Sequence, residues 1–395
     1  MGNRLKRRAA GFSLLEMTVA LGLGTIVLAA AVQMYTQSVS ATWTVSQRAE
    51  LQQDFRAASN ILTRDLSLAG AGLGQGAEIQ LPTSSTYPVY GCDQTSTCYI
   101  TGGSVQYPKQ GTTPYLYGLV TGYDLGPTLS TSVGATDIIT VVYTDSTFYL
   151  NCYGAAIASA TSVTFTLPTT ENSNCTAPNT TTNPYPGSVQ NVNDAAVGLT
   201  AGDLILFSFS GTQVVAEVTG ATVTGTNGSG QTTYTVPFAA SDPLKMNQGT
   251  TVTASLAKQS TGSALSGYGV RLLVITYYID NTTTPPRLMR QVSGHSPIPI
   301  VEGAAYMKFS YDLYNSSTNS AAVSCVNPGA GSDVCTSGSS SGLLPNQITK
   351  VNVLNMAMMS TLKGSLFGLA SGYQTIDLST SVCPRNLTYV NNFNN

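Results

Sequence analysis

Between Phe12 and Tyr35 the chain carries one charged side chain, Glu16, in an otherwise apolar run. Its length suits a helix that crosses a hydrocarbon core. Arg4, Lys6, Arg7 and Arg8 precede it, and the positive-inside rule puts them in the cytoplasm and the bulk of the chain on the other side. A chain of this kind is expected to fold as a single-pass anchor followed by an exported portion.

An ordinary secretory signal has a shorter apolar stretch and a small-residue cleavage site. Ala29, Ala30 and Ala31 supply small residues, so a conventional cut there is one reading. Glu16 weighs against it. A carboxylate inside a membrane helix costs about 3 kcal/mol on insertion scales, so such a residue ordinarily has a partner and a role; no partner is expected in its own helix. A bland alternative is that Glu16 snorkels to the headgroups.

The segment Gly11-Phe12-Ser13-Leu14-Leu15-Glu16, set between a basic leader and a long apolar run, resembles the processing motif of type IV prepilins and type II secretion pseudopilins. The resemblance implies that prepilin peptidase, a membrane aspartic peptidase, cuts between Gly11 and Phe12 and methylates the new amino terminus. It also implies that Glu16 meets the terminal ammonium of a neighbouring subunit during assembly. Pairing opposite buried charges would favour one axial register more than raw stability, and N-methylation keeps the positive charge.

Beyond the apolar run, Leu51, Phe55, Ala58, Leu62, Leu66 and Ala69 recur at helical spacing, which predicts an amphipathic continuation packed on a sheet. The helix is expected to stop where Gly70, Gly72, Gly74 and Gly76 crowd together. From about residue 77, Thr/Val/Ile/Tyr runs alternate with Gly, Pro, Asn and Ser clusters, the pattern of β-structure. Strands are expected at 137–144, 163–167, 204–209, 214–218, 271–279, 288–291, 306–311, 348–358 and 375–379, with long loops near 92–115, 168–200, 222–233, 245–265 and 315–346. The fold class is therefore α+β and pilin-like: a long N-terminal helix, membrane half plus amphipathic half, on a mostly antiparallel β-sheet with large insertions. The expected division is a leader 1–11, a transmembrane and assembly helix 12–35, its amphipathic half 36–70 and a β-rich head 71–395. Segments 201–220, 277–291 and 299–313, and a final strand leading to Pro384, Arg385 and Asn386, also resemble the PilW-like minor pilins in order and style.

Charged residues make up 9% of the 395, far below an average soluble domain, as suits an exported surface protein. Setting Arg4, Lys6, Arg7 and Arg8 aside leaves 13 of the 17 basic residues against 19 acidic, a net of −6, so bulk charge argues against a nucleic-acid partner. Seven cysteines fall as three close pairs, Cys92 with Cys98, Cys152 with Cys175 and Cys325 with Cys335, which fit short disulfide-closed loops in an oxidising compartment. Cys383 is left over, buried as a thiol or paired elsewhere. The single histidine, His295, lies far in sequence from any cysteine, so neither a metal site nor a cofactor is expected. Trp43, the only tryptophan, reads equally as an interfacial anchor or as packing on the helix stripe. No G-x-S-x-G and no phosphate-binding glycine loop occurs, and no enzyme constellation is expected.

Together these readings predict a non-enzymatic structural subunit: a minor pilin of a type IV pilus, single-pass in the bacterial inner membrane before assembly and on the cell surface afterwards. Its expected partners are prepilin peptidase, other major and minor pilins and the inner-membrane pilus assembly machinery. Two alternatives stand beside it, a type II secretion pseudopilin and a pilus-tip adhesin or binding protein.

Overall fold

The structure is a computed structural model that describes residues 13–74, 78–83, 86–100, 103–130, 134–148, 150–159, 161–166, 192–209, 212–248, 267–329, 335–338, 343–361 and 373–388. The chain divides into two units, residues 1–54 with 360–375, and residues 55–359 with 376–395. One helix, α1 (Leu14–Ser67), precedes a succession of antiparallel strands, an α+β layout of pilin type.

Helix α1 starts at a capping box. Ser13 Oγ accepts from the Glu16 amide at 3.2 Å, and the Ser13 amide donates to Glu16 Oε2 at 3.3 Å, so two orphan donors at the helix start are satisfied reciprocally. It runs unbroken through Gly22 and Gly24, a sign that the apolar neighbours carry the helix past two weak positions. Its last turn carries Arg64, favourable beside the carbonyl end. Gly70 and Gly72 then adopt positive φ, and a Cβ on Gly72 would fall 1.8 Å from Thr144 Oγ1. Only glycine fits that close approach.

The spine of the sheet is the strand Gly267–Asp280. It pairs antiparallel with Leu204–Phe209 along its first half, with Ile138–Thr144 along its middle and with Arg287–Val292 along its second half. Residues 274–279 are buried without interruption, so this strand is covered on both faces and reads as a continuous apolar run rather than an alternating one. Leu272, Val274 and Tyr278 join one core with Ile79, Leu81, Tyr90, Tyr107 and Leu116. Leu204–Phe209 feeds two cores by alternation: Leu204 and Leu206 enter that first cluster, while Ile205 and Phe207 enter a second with Phe165, Tyr234 and Phe238. The second cluster lies under a four-stranded sheet, Gly154–Ser159, Ser162–Thr166, Thr232–Pro237 and Val223–Thr226. A five-stranded sheet is built around Ala304–Asn315 and Ile348–Thr361, and one three-stranded and two two-stranded sheets accompany it among the described residues.

The C-terminal turns of α1 bury Phe55, Ala58, Leu62 and Leu66 almost completely, the stripe expected from their spacing. Asp65 lies beside that stripe and is also buried. Its Oδ2 accepts from Tyr277 Oη at 2.5 Å and from Arg290 at 3.0 Å, and its Oδ1 accepts from Tyr143 Oη at 3.3 Å. Tyr277 and Arg290 face each other across neighbouring strands, and Tyr143 comes from the strand on the other pairing partner. One carboxylate thus ties the helix to three strands.

Every expected strand is present, most of them longer than the periodicity indicated. Three of the expected loops are not loops throughout. The 92–115 stretch holds Val105–Gln106, Lys109–Gln110 and the start of Thr113–Tyr117; the 222–233 stretch holds Val223–Thr226 and the start of Thr232–Pro237; the 315–346 stretch holds Ser320–Cys325 and Ser337–Gly338. Val223–Thr226 shows the reason: all four residues are exposed, so an edge strand of Thr, Gly and Val lacks the apolar alternation that marks a half-buried one. Residues 168–191 and 249–265 of the other two expected loops lie outside the described residues, as does residue 167 at the end of the expected strand 163–167.

Removing the Asp65 carboxylate strands a largely buried guanidinium. Asp65→Ala is expected to lower the unfolding free energy by about 3–5 kcal/mol, and Asp65→Asn by less; urea unfolding of the full chain in detergent, followed by tyrosine fluorescence, measures both.

Candidate functional site

Residues 14–35 form a surface that water does not suit. Leu14 is 83% exposed, Leu15 75% and Met34 73%, and Val19, Leu21, Leu23, Ile26, Val27, Leu28 and Val32 are exposed with them. Among the described residues α1 is the helix long and apolar enough to cross a membrane, and none of the side chains of its apolar window is buried within the chain. Leaving so much contiguous apolar surface in water is unfavourable at about 25 cal/mol per Å². Lipid, or equivalent helices of other subunits, are the surroundings that remove the cost. Trp43 is 59% exposed.

Glu16 sits at the start of this surface and is exposed. Contrary to the expectation that its own helix offers no partner, its carboxylate accepts the Ser13 amide in the capping box. Ser13-x-x-Glu16 is a legible capping signature that the reading from the processing motif passed over. The bond is a long one, and the carboxylate keeps further lone pairs for a stronger donor. Gly11 and Phe12, the expected cleavage pair, lie outside the described residues, as does the basic leader.

Several polar contacts in the head have structural geometry. Arg271 bonds Asp145 while stacking over Phe148. Lys308 bonds Asp124 and Asp137, and Asp137 also accepts the Phe309 amide. His295, the single imidazole, bonds Asp203 at 2.9 Å, and Asp203 accepts the Thr200 amide, which closes a turn. Among the described residues no group of three or more His, Cys, Asp or Glu side chains could hold a metal ion.

The most unusual polar cluster is buried. Glu217, Asp242 and Asn247 are fully buried. The Asn247 side chain bonds both backbone groups of Glu217, Glu217 Oε2 accepts the Leu244 amide at 2.8 Å, and Asp242 Oδ2 accepts the Asn247 amide at 3.0 Å. Burial, with Asp242 alongside, pushes the Glu217 carboxyl up to about 8; burial likewise raises Asp242. Two carboxylates this close cannot both ionise without water, so they share a proton. That proton also gives Glu217 Oε1, otherwise without a donor, a bond to make. The effect is to pin the segment Asp242–Asn247 to the edge strand Thr212–Glu217.

Cys92 is bonded to Cys98 and Cys325 to Cys335. Cys152 is disulfide-bonded too, and Cys175 lies outside the described residues. Cys383 is a free and exposed thiol, neither buried nor paired, because the strand Tyr373–Val382 ends just before it.

Residues 6–32 match the family described as "Prokaryotic N-terminal methylation motif". No curated protein and no solved structure matches this chain. The matched residues take in Lys6, Arg7 and Arg8 of the basic leader, Gly11, Phe12, Glu16 and most of the exposed apolar run.

The shared proton generates a pH dependence with a definite sign. The folded-state pKa of Glu217 lies above its unfolded value, so its contribution to stability is full below about 4.5 and is lost as pH rises through about 8. Thermal unfolding from pH 5 to pH 9 is expected to show this decline, and Glu217→Gln, which keeps a donor toward Asp242, should flatten that part of the profile. At its N terminus the chain carries the processing and methylation signal of type IV pilin-like proteins.

Proposed function

We propose that this chain is a non-enzymatic structural subunit of a type IV pilus, a minor pilin resembling the PilW-like group, which primes or caps the filament at low copy number. The observation that carries the reading is one coincidence: the methylation motif at residues 6–32 lies on a helix whose apolar face finds no cover within its own chain. In this reading residues 1–11 are removed by prepilin peptidase between Gly11 and Phe12, residues 12–35 anchor the protein once in the inner membrane, residues 36–70 complete the helix, and 71–395 form the exported head.

Cleavage creates an ammonium at Phe12, one residue from the Ser13 amide that Glu16 caps. A methylated ammonium of an incoming subunit is a stronger donor than a backbone amide, and in the apolar layer each charge is costly without the other. Glu16 therefore exchanges a weak local bond for a charge-assisted one when a neighbour docks in register. The capping box holds the carboxylate in place until then. Major and minor pilins and the assembly machinery of the inner membrane are the partners this requires. A type II secretion pseudopilin would use the same first forty residues in a secretion tip.

Expressed with prepilin peptidase, the protein is expected to yield a mature chain beginning at N-methylated Phe12 by mass spectrometry. Glu16→Ala should still be cut, yet be depleted from sheared filaments. An intact leader, or a cut near Ala31, would overturn the pilin reading.

A further inference from the structure

The segment pinned by the Glu217–Asp242 pair forms one wall of a cavity of about 400 Å³ in the head. Pro243 and Lys245 come from this segment, and the opposite side is built from Thr86, Tyr87, Val89, Ser96, Ser104, Gln106 and the Cys92–Cys98 disulfide. The cleft is open, with Thr86, Ser96, Ser104 and Gln106 exposed, and its size suits a mono- or disaccharide unit.

Three features give the cavity a chemical preference. The first is charge. Lys245 makes no ion pair among the described residues, its ammonium reaches the buried Glu217 only through space, and no Asp or Glu lines the cavity. The one carboxylate in the disulfide loop, Asp93, is turned inward. Burial alone would raise it, but the hydroxyls of Thr95 and Tyr99 and the amides of Thr95 and Thr97 hold it below the ordinary range, so its charge is already satisfied. A second ammonium, that of Lys109, stands 3.4 Å over the Tyr87 ring. The second feature is the lining, in which the hydroxyls of Ser96 and Ser104 and the Gln106 amide offer both donors and acceptors beside an aromatic ring and a disulfide. The third is rigidity. Lys245 and Ser96 both hold left-handed backbone conformations, Val89 donates its amide to Leu244 O, and the disulfide closes the loop that carries Ser96. Non-glycine residues held in this way cost free energy and concentrate at ligand-holding positions.

The geometry points to a binding site for a small carboxylated saccharide, a uronic-acid unit whose carboxylate meets Lys245 and whose hydroxyls meet Ser96, Ser104 and Gln106. A single lysine is a point charge that matches one carboxylate, whereas a phosphate or sulfate is better served by the forked donors of arginine, and no arginine lines the cavity. The polyol-like lining separates a sugar acid from a simple carboxylate. This site is independent of the filament role: the head would carry it whether or not the N terminus is processed.

The test uses the full chain in detergent at pH 7, titrated with D-glucuronate, D-glucose, acetate and inorganic phosphate by saturation-transfer NMR and calorimetry. Glucuronate should bind saturably and reversibly, weakened by added salt, with glucose and acetate much weaker. Lys245→Gln should weaken glucuronate by about tenfold or more, the worth of a charged hydrogen bond, while Lys245→Arg retains most of the binding. Because residue 245 holds a demanding backbone conformation, the melting curve of each variant is compared with the parent, and Ser104→Ala, which disturbs no such conformation, should give a smaller loss with an unchanged melting curve. Binding of glucose or phosphate as strong as that of glucuronate, glucuronate binding indifferent to both Lys245→Gln and Ser104→Ala, or no binding at all, would each overturn the proposal.

Discussion

One helix that must be dissolved in two different surroundings sets the terms for everything else in this protein. The turns from Leu14 to Tyr35 expose nearly every apolar side chain they have, whereas the turns from Phe55 to Leu66 bury theirs. The same local rules, spacing and propensity, make both halves helical, but only the second half has its apolar face covered by its own chain. The exposed half is favourable only where apolar surroundings such as lipid take the place of water, so a solvation requirement is written into the element.

The far end of the helix is fixed in the head, and Asp65 does this with three strands at once. The carboxylate would be expensive to bury alone; surrounded by Arg290, Tyr277 and Tyr143 it becomes a directional lock that specifies which helix face meets the sheet. The apolar stripe supplies most of the free energy and leaves rotation loosely specified, while the polar knot supplies direction. A similar division appears at Glu217 and Asp242, where Asn247 and a shared proton turn two unfavourable charges into a fastening for a loop whose Leu244 and Met246 sink into the core.

Much of the fold was legible. Leu51, Phe55, Ala58, Leu62 and Leu66 announced the buried stripe, Gly70 and Gly72 announced its end, and the Val/Ile/Tyr runs from 138, 204, 271 and 348 announced the strands that carry the core. The strands that escaped notice lie at or next to a sheet edge: Val223–Thr226 is an edge, and Ser320–Cys325 has only the two-residue strand Ser337–Gly338 outside it; their Thr, Ser and Gly residues look the same in a loop. The capping role of Glu16 was also readable from Ser13 three residues before it, but a signal for cleavage at the same place drew the eye first.

The sequence by itself determined the anchor, the processing signal and the class of fold, because apolar length, a basic leader and residue periodicity act over a few turns of chain and need no distant partner. Tertiary structure alone decided which polar groups matter in the head. Asp65 and Arg290 are 225 residues apart, and Glu217 and Asn247 are 30 apart, and nothing in either neighbourhood forecasts the other. Lys245 became a cavity wall, and Asp93 a satisfied inward turn, only once the strands had set their register, since the worth of a charge depends on what is desolvated around it.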